Sequence, residues 1–219
     1  MHPAPSLIVF TTLSGLGFGM IAWLGVGAHA AAAPWVALTF CALALALASG
    51  GLLASLAHLG HPERAWRALS QWRSSWLSRE GVLAVATLAT FSLHAALWGL
   101  AGVRVGALGL LSAALALATV AATAMIYAQL RAVPRWRHWT TPALFVALAL
   151  AGGALLTARS VEGGLLLLLA LGLQLLNWRH GETAYARAGS TIGSATGLAA
   201  RGEVRLLEPP HTGPNYLTE

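Results

Sequence analysis

Residues 35–57 read WVALTFCALALALASGGLLASLA, a run of 23 residues without a charged side chain. A helix needs about 20 mostly apolar residues to cross the hydrocarbon layer, because each backbone N–H and C=O there must be paired within the segment. This stretch satisfies that requirement. Working outward, five more stretches qualify: about Leu7 to Val26, Val82 to Val103 and Ala107 to Leu130, then the shorter Pro142 to Ala158 and Gly163 to Trp178. The whole composition agrees. Of 219 residues, 57% are hydrophobic and 9% charged, with a mean hydropathy of +0.69. A soluble domain carries about 25% charged residues, so this chain lacks the polar surface of a water-facing globule. The expected fold is all-α: a polytopic transmembrane helix bundle of about six spans over residues 1–178. A loop at 58–81 and a tail at 179–219 lie on one side of it.

The few charges are informative. All 13 cations are Arg and all 7 anions Glu, with a formal net charge of +6. Basic residues this sparse among apolar runs point to a membrane protein sorting its loops, not to nucleic acid. Arg64, Arg67, Arg73, Arg79, Arg131, Arg135, Arg137, Arg179, Arg187, Arg201 and Arg205 all fall on one side of a six-span topology. Only Arg104 and Arg159 fall on the other. Positive loops stay in the cytoplasm, so the N terminus, the 58–81 loop and the tail are expected there, in a bacterial inner membrane. Residues 1–6 are too short and uncharged for a signal-peptide n-region, and the first span is read as a retained anchor. The single Cys41 excludes a disulfide framework, a zinc ribbon and an iron–sulfur cluster held by this chain alone.

The far-side loops are minimal, so function and partners are expected on the cytoplasmic side. In 62–80, Trp66, Leu69, Trp72, Trp76 and Leu77 share one arc at 100° per residue, the pattern of an interfacial helix with Trp at the headgroups. In the tail, Pro209, Pro210 and Pro214 stop any helix, and the segment suits ordering against a partner or a disordered terminus. Gly15 and Gly19 form a GxxxG with Gly17 between them, read as close helix packing.

Ionisable groups at the membrane edge are functional candidates, because burying them is costly. His58 ends the second span and Glu80 precedes the third, so both sit at the same boundary. An imidazole and a carboxylate at the edge of a helical cleft suit proton-coupled chemistry on a lipid-soluble carrier such as a quinone. On composition alone, the plainer reading is that both are ordinary interfacial polar groups. Arg64 stays open as a donor to Glu80 or to a quinone oxygen. Tyr127 and Gln129 end the fourth span on the same side and could line the cleft, although helix packing is the plainer role. His94 lies about 18 Å into its span by helical rise and is expected to hydrogen-bond a neighbouring helix. A haem would need two facing His, and His58 and His94 lie at different depths.

At these residues the chain resembles the membrane-anchor subunit of the DMSO reductase family of molybdoenzymes. The similar stretches are HPAPSLIVFTTLSGLGFG (2–19), AHLGHPERAWRALSQWRSSWLSREGV (57–82), MIYAQLRAVPRW (125–136) and PPHTGPNYLTE (209–219). The resemblance implies an anchor without its own haem or iron–sulfur cluster. It holds two partners at the membrane: an iron–sulfur subunit with four [4Fe-4S] clusters and a catalytic subunit carrying the molybdopterin cofactor. It also exchanges electrons with the quinone pool, ubiquinone or menaquinone. The family's quinone-site His and Glu match His58 and Glu80, and its loop Arg matches Arg64. Family members have eight helices where this sequence shows six, so either the chain is truncated or its branch is shorter. Respiratory members present this loop to the periplasm, whereas the Arg distribution here turns it to the cytoplasm. That favours the related sulfite-oxidising branch, which delivers electrons from sulfite to quinone. The alternatives are the anchor of a DMSO or other S- or N-oxide reductase oxidising quinol, a haem b cytochrome, and a transporter. The reaction at molybdenum would belong to a partner in every version of the anchor reading.

Overall fold

The computed structural model describes residues 5–30, 32–57, 59, 61–189 and 191–205. His58 and residues 206–219 of the tail lie outside them. The described residues form helices and turns without a strand. In chain order these are α1 (Pro5–Val26), α2 (Pro34–Leu56), α3 (Trp76–Gly99), α4 (Gly106–Ala128), α5 (Thr140–Leu156), α6 (Ser160–Arg187) and the short α7 (Ile192–Thr196). Five of them, α1 to α4 and α6, are long and apolar enough to cross a membrane. The sixth expected span, α5, has 17 residues, the lower limit for a crossing helix. α6 is longer than the sequence suggested: it continues beyond Trp178 to Arg187, taking in His180 and Glu182. Nothing in 179–187 breaks a helix, and polar composition alone does not end one.

Side-chain register fixes the directions. Gly17 meets Ala48 and Ser14 meets Gly51, so α1 and α2 are antiparallel. Glu80 meets Thr123 and Thr87 meets Thr119 across α3 and α4, again antiparallel. Thr140 meets Asn177 across α5 and α6. The starts of α1, α3 and α5 and the ends of α2, α4 and α6 therefore share one end of the bundle, the end with the Arg-rich segments.

α1 is the central helix and packs on α2, α4 and α5. Lipid tails are as apolar as Leu, so helices in a membrane are held by close van der Waals packing and interhelical hydrogen bonds, which small residues permit. The sequence of α1 supplies one such contact per neighbour. A Cβ on Gly17 would overlap the Ala48 backbone of α2. One on Gly19 would overlap the Ala149 carbonyl of α5, and one on Gly25 the Gly109 carbonyl of α4. The close-packing reading of the GxxxG thus holds for Gly19 but not for Gly15. Nothing stands within 4 Å of a Cβ there, and Gly15 forms part of a cavity wall.

The segment expected as one interfacial helix over 62–80 is split. Pro62–Gln71 is a 3-10 helix, residues 72–74 turn, and α3 starts at Trp76 behind the N-cap Ser75, whose hydroxyl accepts from the Ser78 amide. Serine is a strong N-cap, which explains the restart. The 3-10 repeat of three residues per turn still aligns Trp66, Leu69 and Trp72, so the apolar stripe persists through a different helix type. At the opposite end the two remaining cations lie over indoles, Arg104 over Trp98 and Arg159, which also pairs with Glu162, over Trp23.

Candidate functional site

Glu80 is the fifth residue of α3 and its side chain is buried, 4% exposed. Its partner is a hydroxyl: Thr123 Oγ1 of α4 donates to Glu80 Oε1 over 2.5 Å. Arg79 next to it turns outward, stacks over Trp76 and donates to the Trp72 and Arg73 carbonyls. Among the described residues no cation pairs with Glu80.

Thr119, Thr123 and Tyr127 stand four residues apart and so share one face of α4. Thr119 meets Thr87 of α3 at 3.1 Å. Thr123 also lines a cavity of about 380 Å³ between α1, α4 and α5, with Thr11, Gly15, Phe18, Leu144 and Phe145 among its walls. A second lobe of about 300 Å³ shares Thr11, Leu144 and Phe145 with the first and adds Tyr127, Trp136, Thr141 and Asn177. Tyr127 stands edge-on to Trp136 and tilted against Phe145, each at 5.6 Å between ring centroids. The two lobes make one cleft at the Arg-rich end. The first is mostly apolar, with Thr11, Thr12, Ser14 and Thr123 among its walls, and the Thr123 hydroxyl contacts a buried carboxyl. The second gathers a phenol, a hydroxyl and an amide beside an indole. Small-molecule sites have this character: apolar walls, a few placed polar groups and several hundred Å³ of space.

The four residues singled out from the sequence part company here. Glu80 and Tyr127 come to the same cleft, Glu80 through Thr123 and Tyr127 directly. Arg64 does not: it is exposed and stands 3.7 Å from Glu63, which also takes the His61 ring at 3.0 Å. A chain held by a 3-10 helix on the surface leaves its cations in water, the cheapest place for them. His58 lies outside the described residues. His94, expected to bond a neighbouring helix, is fully buried between Phe91 and Trp98 at the other end, and neither ring nitrogen finds a partner among the described residues. No group of three or more His, Cys or Glu among the described residues converges as a metal site. The sequence reading missed Thr11, Thr123, Thr141 and Asn177. Threonine in an apolar helix is indistinguishable from packing until its partner is known, although the four-residue spacing of Thr119, Thr123 and Tyr127 was a usable signal.

A family model described as DMSO reductase anchor subunit (DmsC) matches residues 1–171. The chain belongs to that family. Its five long apolar helices and the family's description as an anchor subunit make it a multi-pass membrane protein. Among curated proteins it is similar to a sulfite dehydrogenase subunit of Allochromatium vinosum, 39% identical over 178 residues. The match covers 72% of this chain and 55% of that protein, so the anchor spans about half the length of the relative it matches. No solved structure matches the anchor. The family match includes α1 to α5 and the start of α6, and so nearly all the walls of the cleft.

Proposed function

We propose that this anchor is the quinone-binding subunit of a three-subunit sulfite dehydrogenase in a bacterial inner membrane. The catalytic partner would oxidise sulfite at molybdenum, and the partner iron–sulfur subunit would bring the electrons to the Arg-rich end. Reducing a quinone to its quinol consumes two electrons and two protons. The apolar lobe is suited to the hydrocarbon part of such a carrier and the lobe at Tyr127 to its ring oxygens. The observation that carries this reading is the buried Glu80 carboxyl directly behind Thr123 of the cleft wall, since a carboxyl there can hold a proton and pass it through the hydroxyl. His58 directly follows Ala57, which caps α2 at the same end, and is assigned to the same task as a second proton carrier. The name of the Allochromatium relative and the Arg distribution support sulfite as the substrate and a cytoplasmic site.

The test uses the complex purified with its native partners. Glu80→Gln keeps the size and the hydrogen bond but removes the titrating proton. It should lower sulfite-dependent reduction of decylubiquinone by roughly 10²-fold or more, the usual contribution of a general acid. Activity that survives Glu80→Gln and His58→Ala unchanged would sink the assignment. The family's own description favours a second reading, quinol oxidation coupled to DMSO or another oxide. Turnover with DMSO and quinol, but none with sulfite, would select it.

A further inference from the structure

One polar chain ends in the cleft and begins outside it. His138 sits in the turn before α5, half-buried, and its Nδ1 lies 2.8 Å from Thr140 Oγ1. That hydroxyl donates to Asn177 Oδ1 of α6, also over 2.8 Å. Asn177 is a wall residue of the second lobe, with Tyr127 and Thr141. On its other side the His138 ring stacks on His180 of α6, 4.0 Å between centroids and 18° between planes.

A hydroxyl has one proton to give, which couples the three groups. With a proton on His138 Nδ1, the ring donates to Thr140 and the hydroxyl donates to Asn177 Oδ1. The Nδ2 amino group is then what Asn177 offers to the lobe. With Nδ1 bare, the nitrogen accepts the Thr140 hydroxyl, and the Thr140 amide also approaches it at 3.4 Å. Thr140 Oγ1 then has only a lone pair for Asn177, whose amide must turn to donate with Nδ2 and offer its carbonyl to the lobe. The imidazolium carries both N–H groups and permits the first arrangement alone.

We propose that Asn177 contacts the ring oxygen of the bound carrier, and that His138, through Thr140, sets whether it donates to a quinone carbonyl or accepts from a quinol hydroxyl. This rests on the reading of the cleft as a quinone site. The charged and titratable groups around His138 bear on its protonation. They are His180 and Arg187 of α6, with Arg135 of the same turn packed over Gly181. Burial, then the charges of His180 and Arg187, hold His138 below the ordinary histidine range. The neutral ring with its two arrangements is therefore the resting form at neutral pH, and acidification selects the donor form.

The experiment measures binding of decylubiquinone and of decylubiquinol to the purified complex in nanodiscs, from pH 5 to pH 8. The readout is quenching of tryptophan fluorescence, since Trp136 borders the lobe. In the wild type, the quinone-to-quinol affinity ratio should rise severalfold towards acid pH. Asn177→Leu should weaken both ligands by about fivefold, the worth of one hydrogen bond. His138→Gln, at a half-exposed turn position that does not threaten the fold, should remove most of the pH dependence of the ratio while keeping the binding. A wild-type ratio independent of pH would overturn the inference, as would a His138→Gln ratio that tracks the wild type. If the wild type binds neither ligand, or binding is indifferent to Thr123→Leu in the other lobe, the quinone reading itself fails.

Discussion

His138 shows how much one residue's surroundings decide. In sequence it is one more polar residue in the Arg-rich turn RAVPRWRHW (131–139), with nothing to separate it from its neighbours. In the fold it is pinned between the His180 ring and the Thr140 hydroxyl, with Arg187 nearby. Its folded-state proton affinity is lowered, chiefly by burial, below the ordinary value of about 6.5. The sign of the linkage follows. Below that pH the unfolded chain takes up the proton before the folded one does, so stability falls with pH from about 6.5 down to the lower folded value. Above about 6.5 the ring is neutral in both states and contributes nothing to the slope. Thermal unfolding of the wild type and of His138→Gln in the same detergent checks this: the acid-side loss of stability should be smaller in the variant. An equal or steeper loss in His138→Gln would show that the ring is not under this strain. Glu80 differs in legibility. Its place at a span boundary and its family match both marked it, because an acid near a membrane edge is conspicuous by its cost. Its partner Thr123 was not marked, because a threonine there costs little.

At the scale of elements, hydropathy revealed the helices but not their neighbours. Six apolar stretches led to six helices because backbone pairing in lipid leaves few alternatives. Which faces meet depends on small residues, and a sequence in which Gly, Ala and Ser recur everywhere does not say which are used. Gly15 and Gly19 illustrate this: one GxxxG contains a contact residue and a cavity-wall residue. Likewise the 62–80 stripe was visible, whereas its division by the Ser75 cap into a 3-10 helix and the start of α3 was not. The two glycines make opposite predictions. Gly19→Ala drives a methyl into the Ala149 carbonyl and should destabilise the bundle by about 1–3 kcal/mol or more, as overpacked cores do. Gly15→Ala meets no atom within 4 Å and should leave thermal stability near the wild-type value. A larger side chain at the same place, Gly15→Leu, should instead fill the first lobe and weaken decylubiquinone binding at little cost to folding. If Gly15→Ala proved as damaging as Gly19→Ala, the α1–α5 register would be wrong.

For the whole molecule, the question is which way the bundle faces, and the placement of its cations bears on it directly. The cleft, the 3-10 helix and the cationic turns are all at one end, while Arg104 and Arg159 at the other lie over the indoles of Trp98 and Trp23. Lysine and arginine resist translocation, so an end with eleven Arg should remain on the side of synthesis and an end with two should cross. Electrons delivered at the eleven-Arg end would then meet protons taken from the same aqueous phase, and the reaction would carry no charge across the membrane. If that end instead faced the periplasm, a quinol-oxidising complex would release its protons into the phase where its partner's oxide reduction consumes them. This case too would carry no charge and would differ only in the aqueous phase that exchanges protons. Single cysteines in a Cys41→Ser background separate these cases, since Cys41 is buried. Ser70 lies in the exposed 3-10 helix and Ala101 in the exposed turn after α3, at opposite ends. A membrane-impermeant maleimide added to intact cells should label Ala101→Cys and reach Ser70→Cys only after the membrane is opened. The reverse pattern would place the cleft at the periplasmic face and turn the choice of reaction towards oxide reduction.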